Sequence, residues 1–318
     1  MRRRLSALIY LGGWRVVRLL PAPLAYGLFR LVADLAWVRR VGGARRLETN
    51  LGRVRPDLAP DELRALAREG MRSYLRYWCD SFRLPSWTPE QVRASVRVEG
   101  DGPVREALES GRGVVAALAH QGNWDLAGAW SALDLHRVTT VAERLEPVEV
   151  YDAFVAYRTT IGIDVLALGD DGVFTSLVRV LRGGGLVPLL CDRDLSRTGL
   201  EVDLAGHRAR VAAGPASLAE VTGALLTPVS IWYERVPRAE RRSVGGGSGY
   251  RTVIRFHEPI EPPQVDGRAA RVQALTQAVA DGLGRGIAEH PEDWHMLQPV
   301  FVDDLDPERL ARAREAAR

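Results

Sequence analysis

Residues 113–128, Gly113-Val-Val-Ala-Ala-Leu-Ala-His120-Gln-Gly-Asn123-Trp-Asp125-Leu-Ala-Gly, set an imidazole and a carboxylate five positions apart. An imidazole at this kind of site can take a proton from a hydroxyl group near neutral pH. A carboxylate turned back onto it through a tight turn would fix its tautomer and stabilise the imidazolium. The apolar run reads as a buried strand ending at His120, and a helix begins near Trp124 with Asn123 or Gln121 as its cap. The carboxyl end of a strand meeting a helix N-terminus is where open α/β sheets build sites. A lone histidine is usually structural. His136 and His257 read as exposed or strand-edge residues, and His290 and His295 flank a Pro-Glu-Asp-Trp turn. His120 differs because strand, turn, acid and helix start coincide there.

A second polar cluster, Cys191-Asp192-Arg193-Asp194-Leu-Ser-Arg197-Thr-Gly-Leu-Glu201, follows another apolar run, Leu186–Leu190. Three acids and two arginines would make a poor core. They form either a binding edge or a salt-bridged turn. Arg158, just before the apolar Ile163 run, is a third candidate, with a helix C-terminal cation as its plainer reading. Cys79 and Cys191 lie in no C-x-x-C pair, and no His/Cys spacing suits zinc, so both read as buried thiols of a reducing compartment.

The elements that must position these residues alternate. Strands are expected at Val96–Val98, Val114–Leu118, Val138–Val141, Ile163–Leu168 and Leu186–Leu190, then near 226–233 and 252–258. Helices are expected at 58–84, 102–110, 124–134, 147–160, 173–182, 215–223 and 269–288. The fold class is α/β: a central, mostly parallel sheet flanked by helices, with N-terminal amphipathic helices at a membrane face. Residues 1–90 form a helical membrane-associating portion, 91–300 the α/β core and 301–318 a charged tail. The glycine run Gly245–Gly249 opens a strand, not a helix, and reads as a flexible surface loop.

In 318 residues, 46% apolar and 26% charged, there is material for a sizeable core. All 43 basic side chains are arginine, yet the net charge of +3 is too small to argue for nucleic acid. The charge is uneven. Residues 1–50 hold ten arginines, including Arg2, Arg3 and Arg4, against Asp34 and Glu48. Arg15, Arg18 and Arg30 interrupt every apolar run before it could span a bilayer, and Pro21 and Pro23 divide the segment. It reads as lying in the interface of an anionic membrane, or as a helix pair packed on the domain; the two can coexist. A signal peptide is disfavoured by Arg15 and by the lack of a clean cleavage site, leaving a peripheral protein of the cytoplasmic membrane face.

The ordered set is more specific than either cluster. His120-Gln-Gly-Asn-Trp-Asp125 resembles the H-x-x-x-x-D signature of glycerolipid and lipid A-type acyltransferases. With Arg158 before a strand, Asp192-Arg193-Asp194-Leu, and Gly199-Leu-Glu201-Val, the chain resembles the actinobacterial phosphatidylinositol mannoside acyltransferases of the late lipid A acyltransferase superfamily. The likeness extends to Gly13-Trp14-Arg15, Ser73 to Trp78, Arg83-Leu84-Pro85 and Asp293 to Pro299.

That resemblance implies transfer of a long-chain acyl group, such as palmitoyl, from acyl-CoA to a mannose hydroxyl of a phosphatidylinositol mannoside. His120 would be the general base and Asp125 its orienting acid. Arg158 and Glu201 would hold the acceptor, with Asn123, Asp192, Arg193, Asp194 and Arg197 as further substrate-binding residues; whether Asp194 or Glu201 is the matching acid stays open. No metal or redox cofactor is implied. The competing readings are acylation of lipid A or another glycolipid, a thioesterase, and a non-catalytic lipid-binding protein.

Overall fold

A computed structural model describes residues 12–311, apart from 145, 146, 195, 197, 242, 243 and 309. The arginine triplet at residues 2–4 and the site candidate Arg197 therefore lie outside the described residues. Helical residues 12–19 (α1) lead into α2 (Ala22–Val38), which carries Pro23 in its first turn, where proline is tolerated. Then come α3 (Gly42–Val54), α4 (Pro60–Arg83) and the short α5 (Pro89–Ala94). In α4, Glu62 accepts the Ala59 amide at 2.9 Å, closing its first turn.

From Val96 the chain alternates: β1 (Val96–Glu99), α6 (Gly102–Glu109), β2 (Val114–Leu118), α7 (Trp124–Asp134), β3 (Val138–Ala142), α8 (Val148–Thr160), β4 (Ile163–Ala167), α9 (Val173–Arg182) and β5 (Leu186–Leu190). A hairpin of β6 (Leu200–Leu204) and β7 (His207–Val211) follows, then α10 (Gly214–Thr222), β8 (Leu225–Arg235), β9 (Tyr250–Phe256) and α11 (Arg268–Glu289).

Seven strands form one sheet in the order β1-β9-β8-β2-β5-β3-β4. Strands β8, β2, β5, β3 and β4 are parallel, while β9 runs antiparallel to β8 and carries β1 with it. The mostly parallel expectation thus holds, with two reversed strands at one edge. The chain leaves β2 toward β3 on one side and returns from β5 to β8 on the other, so the strand order switches direction around β2.

Every residue of β2 is buried, which explains its unbroken apolar run. Val115 and Ala117 join α9, α10 and α11 on one face, while Val114, Ala116 and Leu118 join α6, α7 and α8 on the other. The first of these cores also takes in Ala33, Ala44, Leu47 and Met71 from the N-terminal helices. Trp14 of α1 is buried against Phe82 and Tyr157, and donates to the Phe82 carbonyl at 3.0 Å. The helical portion is packed on the domain and still leaves one side of α2 exposed.

Two expectations change. The β6–β7 hairpin was not foreseen. The glycine run is no free loop: the Gly245 amide donates to the Ser95 hydroxyl at 2.5 Å, and a Cβ at Gly245 would lie 2.3 Å from the Trp87 ring. The run is glycine-rich because an aromatic ring lies flat against its backbone. In the tail, Phe301 is fully buried and Asp303 and Asp304 pair with Arg53.

Candidate active site

Parallel pairing of β2 with β5 sets Leu118 opposite Leu190. Two residues beyond each strand end, the same offset brings His120 to Asp192. The Cys191 amide continues the ladder to the Leu118 carbonyl at 2.8 Å. The Asp192 carboxylate then receives the His120 amide on Oδ2 at 3.0 Å and meets His120 Nδ1 through Oδ1 at 2.6 Å. A third donor, the Trp294 indole N–H, reaches Oδ2 at 2.8 Å. Asp192 is fully buried. Burial by itself pushes its carboxyl up, but the positive charge of His120 and the three donors outweigh that and hold it below the usual range. An ionised carboxylate only accepts, so Nδ1 of His120 carries a proton facing it, and in the neutral imidazole the lone pair is on Nε2. The imidazole is about one-third exposed and makes a T-shaped contact with Trp124, ring centres 5.7 Å apart.

Asp125 is therefore not the partner of His120. Asn123 caps α7 by accepting the Leu126 amide at 2.9 Å, so Asp125 sits inside the first helical turn and points toward α4 and α8. There its Oδ1 accepts from Arg158 Nε at 2.9 Å, and its Oδ2 from the Tyr77 hydroxyl at 2.9 Å and from Ser81 at 3.3 Å. The Asp125–Arg158 pair is buried, with the guanidinium 4.4 Å from the Phe154 ring centre. Asn123 also donates to Asp80 at 3.2 Å, so its side chain is engaged in positioning the turn.

The second cluster divides between the two readings of it. Asp192 serves His120. Asp194 closes a turn by accepting the Ser196 amide at 2.6 Å, and Arg193 is half-buried beside it. Glu201 lies in β6, 3.6 Å from Arg210 and 3.5 Å from Arg208; Arg210 in turn binds the Ser196 and Gly199 carbonyls. Of the two acids between which the motif left the choice open, neither is the one at the imidazole.

Several polar residues were missed. Helix α4 delivers Ser73, Tyr77, Asp80 and Ser81 to the site, an i, i+4, i+7, i+8 stripe of buried polar groups on an amphipathic helix. Asp80 accepts from Tyr26 at 2.6 Å and Tyr233 at 2.9 Å. Ser73 binds both Asp293 and His295, the latter at 2.9 Å. The 290–296 turn supports the His120 loop, with the His295 amide donating to the His120 carbonyl at 2.7 Å and the Gly122 amide to the Asp293 carbonyl at 2.8 Å. Gly122 has φ of +62°, and a Cβ there would lie 2.5 Å from the Ile231 carbonyl oxygen, so this turn requires glycine.

Between the sheet and α7 lies an apolar cavity of about 60 Å³. Its wall includes Leu118, Trp124, Gly128, Ile163, Leu190 and Phe256, with the Asp125–Arg158 pair at its border. Trp124 belongs both to this wall and to the ring contact with His120.

The family model for bacterial lipid A biosynthesis acyltransferases matches residues 1–302. The phosphatidylinositol mannoside acyltransferase of Mycolicibacterium smegmatis is 40% identical over 308 residues, covering 95% of this chain and 93% of that protein. The protein of the same name from Mycobacterium tuberculosis H37Rv is 39% identical over 312 residues, covering 96% and 91%. Among solved structures, the 1-acyl-sn-glycerophosphate acyltransferase PlsC of Thermotoga maritima aligns with a TM-score of 0.36 at 15% identity, over 82% of this chain and 97% of that one. With a family match across nearly its whole length and relatives near 40% identity over more than nine-tenths of it, the chain belongs to the bacterial lipid A biosynthesis acyltransferases.

Proposed function

We propose that this acyltransferase moves a long-chain acyl group from acyl-CoA to a mannose hydroxyl of a phosphatidylinositol mannoside. The observation that carries the reading is the His120–Asp192 pair, which engages Nδ1 and leaves Nε2 to face a substrate, with Trp124 shared between the imidazole contact and the apolar cavity. The two mycobacterial relatives supply the acceptor class.

In this mechanism Nε2 takes the proton of the attacking hydroxyl as its oxygen bonds to the thioester carbonyl carbon. Asp192 stabilises the imidazolium that forms. The tetrahedral intermediate collapses with loss of the CoA thiolate, a good leaving group because thiols are acidic, and the imidazolium returns the proton to it. The acyl chain starts into the cavity between α7 and the sheet, whose volume of about 60 Å³ takes only part of a long chain, while Asp125 and Arg158 hold its polar border.

Peripheral attachment to the cytoplasmic membrane face is part of the proposal. Leu24, Leu28, Leu31, Leu35 and Val38 line one side of α2 and are all exposed, with Arg39 and Arg40 at its end. Among the described residues no helix is long and apolar enough to cross a membrane. Binding to anionic vesicles that weakens with added salt is expected; failure to bind at any salt removes this part.

The test of the reaction offers palmitoyl-CoA and phosphatidylinositol monomannoside to wild type and His120→Ala, following free thiol and acylated lipid by mass spectrometry. Acceptor-dependent thiol release, lost in the variant, is expected. Equal activity in the variant would make His120 structural. Preference for a glucosamine disaccharide acceptor would favour lipid A biosynthesis, which the family's description names.

A further inference from the structure

At the hairpin end of β8 and β9, two adjoining hollows of about 340 and 350 Å³ share Glu69, Arg76, Arg235 and Tyr250. Among the described residues no ion pair joins Arg76 or Arg235 to a carboxylate. The Arg76 guanidinium lies 3.8 Å from the Tyr250 ring centre and 4.8 Å from that of Tyr233. Stacking of this kind fixes the plane of the cation and leaves its N–H edge available. Arg235 Nε donates to the Tyr250 hydroxyl at 3.0 Å, which orients its terminal nitrogens beside the same ring.

The remaining charges of the groove are Arg30, Arg72, Glu69, Glu292 and Asp293. Arg72 is committed to Asp34 and Glu69. Asp293 is buried and accepts from Ser73 and from the Tyr233 amide. Arg68 and Arg72 are balanced by Asp34 and Glu69, so Arg30, Arg76 and Arg235 face Glu292 and Asp293 and leave one excess positive charge, suited to a monoanion.

The groove also has two informative ends. Its outer wall is α2, through Tyr26, Phe29 and Arg30, the helix whose other side carries the exposed leucines. Its inner wall is Ser73 and Asp293, and the Asp293 carbonyl accepts the Gly122 amide two residues from His120. We propose that Arg76 and Arg235 seat the headgroup phosphodiester of the lipid acceptor, between the membrane-facing helix and the catalytic turn. The inference rests on the acyl-acceptor reading given above. A phosphodiester carries one negative charge and, in a lipid, lies at the membrane interface. The nucleotide phosphates of a soluble thioester donor carry more charge and have no reason to lie beside α2.

The test is calorimetric titration of the full chain with glycerophosphoinositol, myo-inositol and adenosine 3′,5′-bisphosphate. Glycerophosphoinositol is expected to bind, and inositol, without the phosphate, to bind at least about tenfold more weakly. Arg76→Gln and Arg235→Gln are each expected to weaken the phosphodiester about tenfold and to raise KM for the glycolipid with kcat held. Should Arg76→Gln melt early, Arg235→Gln and Arg76→Lys carry the comparison, since lysine keeps the charge but not the planar stack. Arginine-dependent binding of the bisphosphate in place of the phosphodiester overturns the proposal, as does phosphodiester binding indifferent to both arginines. Arginine-dependent phosphodiester binding by a protein that acylates no glycolipid would instead sink the functional reading and leave the site standing. Normal acylation with an unchanged KM in both variants would do the reverse.

Discussion

Replacing Asp192 by asparagine separates the geometry found here from the one the motif suggested. The carboxylate receives two donors on Oδ2, the His120 amide and the Trp294 indole, and one on Oδ1 from the imidazole. An amide has one accepting oxygen. Two fixed N–H groups claim it, so the –NH2 is turned toward Nδ1. To accept from that –NH2, Nδ1 must lose its proton, which moves to Nε2 and abolishes the base. A tautomer error of this kind costs about 10⁴-fold in kcat in hydrolases that use the same imidazole–carboxylate logic, or about 5.5 kcal/mol of barrier. Asp125→Asn should behave differently: it strands the buried Arg158 cation, at about 3–5 kcal/mol of stability. Single-turnover thiol release at fixed protein concentration, with melting curves alongside, distinguishes the two. Asp192→Asn within tenfold of wild type, or a full catalytic loss at Asp125 with an unchanged melting temperature, would refute the assignment.

Three further outcomes are expected. Trp294→Phe removes one donor to a charged acceptor, so kcat should fall about tenfold with the fold intact by near-UV circular dichroism; unchanged turnover would show the indole to be packing alone. At Gly128 a Cβ would meet the Ile163 side-chain tip at 2.5 Å inside the cavity. Gly128→Val should therefore lower palmitoyl transfer relative to decanoyl transfer by about tenfold, read in a mixed-donor competition, and equal losses for both chains would place the acyl group elsewhere.

The last outcome concerns acid stability. Burial pushes the Asp293 carboxyl up to about 6 and the His295 imidazole down to about 3. The folded chain keeps the Asp293 proton up to about pH 6, whereas the unfolded chain loses it near 3.8, so this stability is present below 3.8 and lost as pH rises to 6. The unfolded chain takes a proton on His295 below 6.5 and the folded chain does not until about 3, so that stability is lost as pH falls through this window. The two trends oppose each other between about pH 6 and 4. Urea melts of His295→Gln should therefore gain about 3 kcal/mol between pH 6 and 4. Melts of Asp293→Asn should lose stability over the same range, and parallel pH profiles for both variants would contradict the burial argument.

Much of the architecture was legible because strands and helices here obey simple periods. Val114–Leu118, Leu186–Leu190, α7 and α9 fall where the apolar runs and breakers put them. The hairpin was not, because β6 and β7 mix charged and apolar residues and follow a turn rich in acids. The His120–Asp192 pairing was missed for a different reason. Asp125 is near His120 along the chain, whereas Asp192 is near it only through sheet register, and five-residue strands of equal length were the available clue. The stripe on α4 was visible as spacing, but polar residues at helical intervals ordinarily mark a solvated face; here they face inward because α4 crosses the strand ends.

That difference has a consequence for how such a site can vary. His120 and Asp192 are held by the ladder between β2 and β5 and by one indole, all belonging to the buried core. Under the proposed function, the two substrate paths are built from other elements. The cavity for the acyl chain lies between α7 and one sheet face, and the arginine groove lies across β8, β9, α2 and α4. Each borders the turn carrying His120 separately, the cavity through Trp124 and the groove through Asp293, whose carbonyl accepts the Gly122 amide. Side chains lining either path can therefore change size or charge without disturbing the hydrogen bonds that make Nε2 a base. Changes at the β2–β5 register cannot be so tolerated, because a slip of one residue would move Asp192 off the imidazole and invert both faces of a fully buried strand.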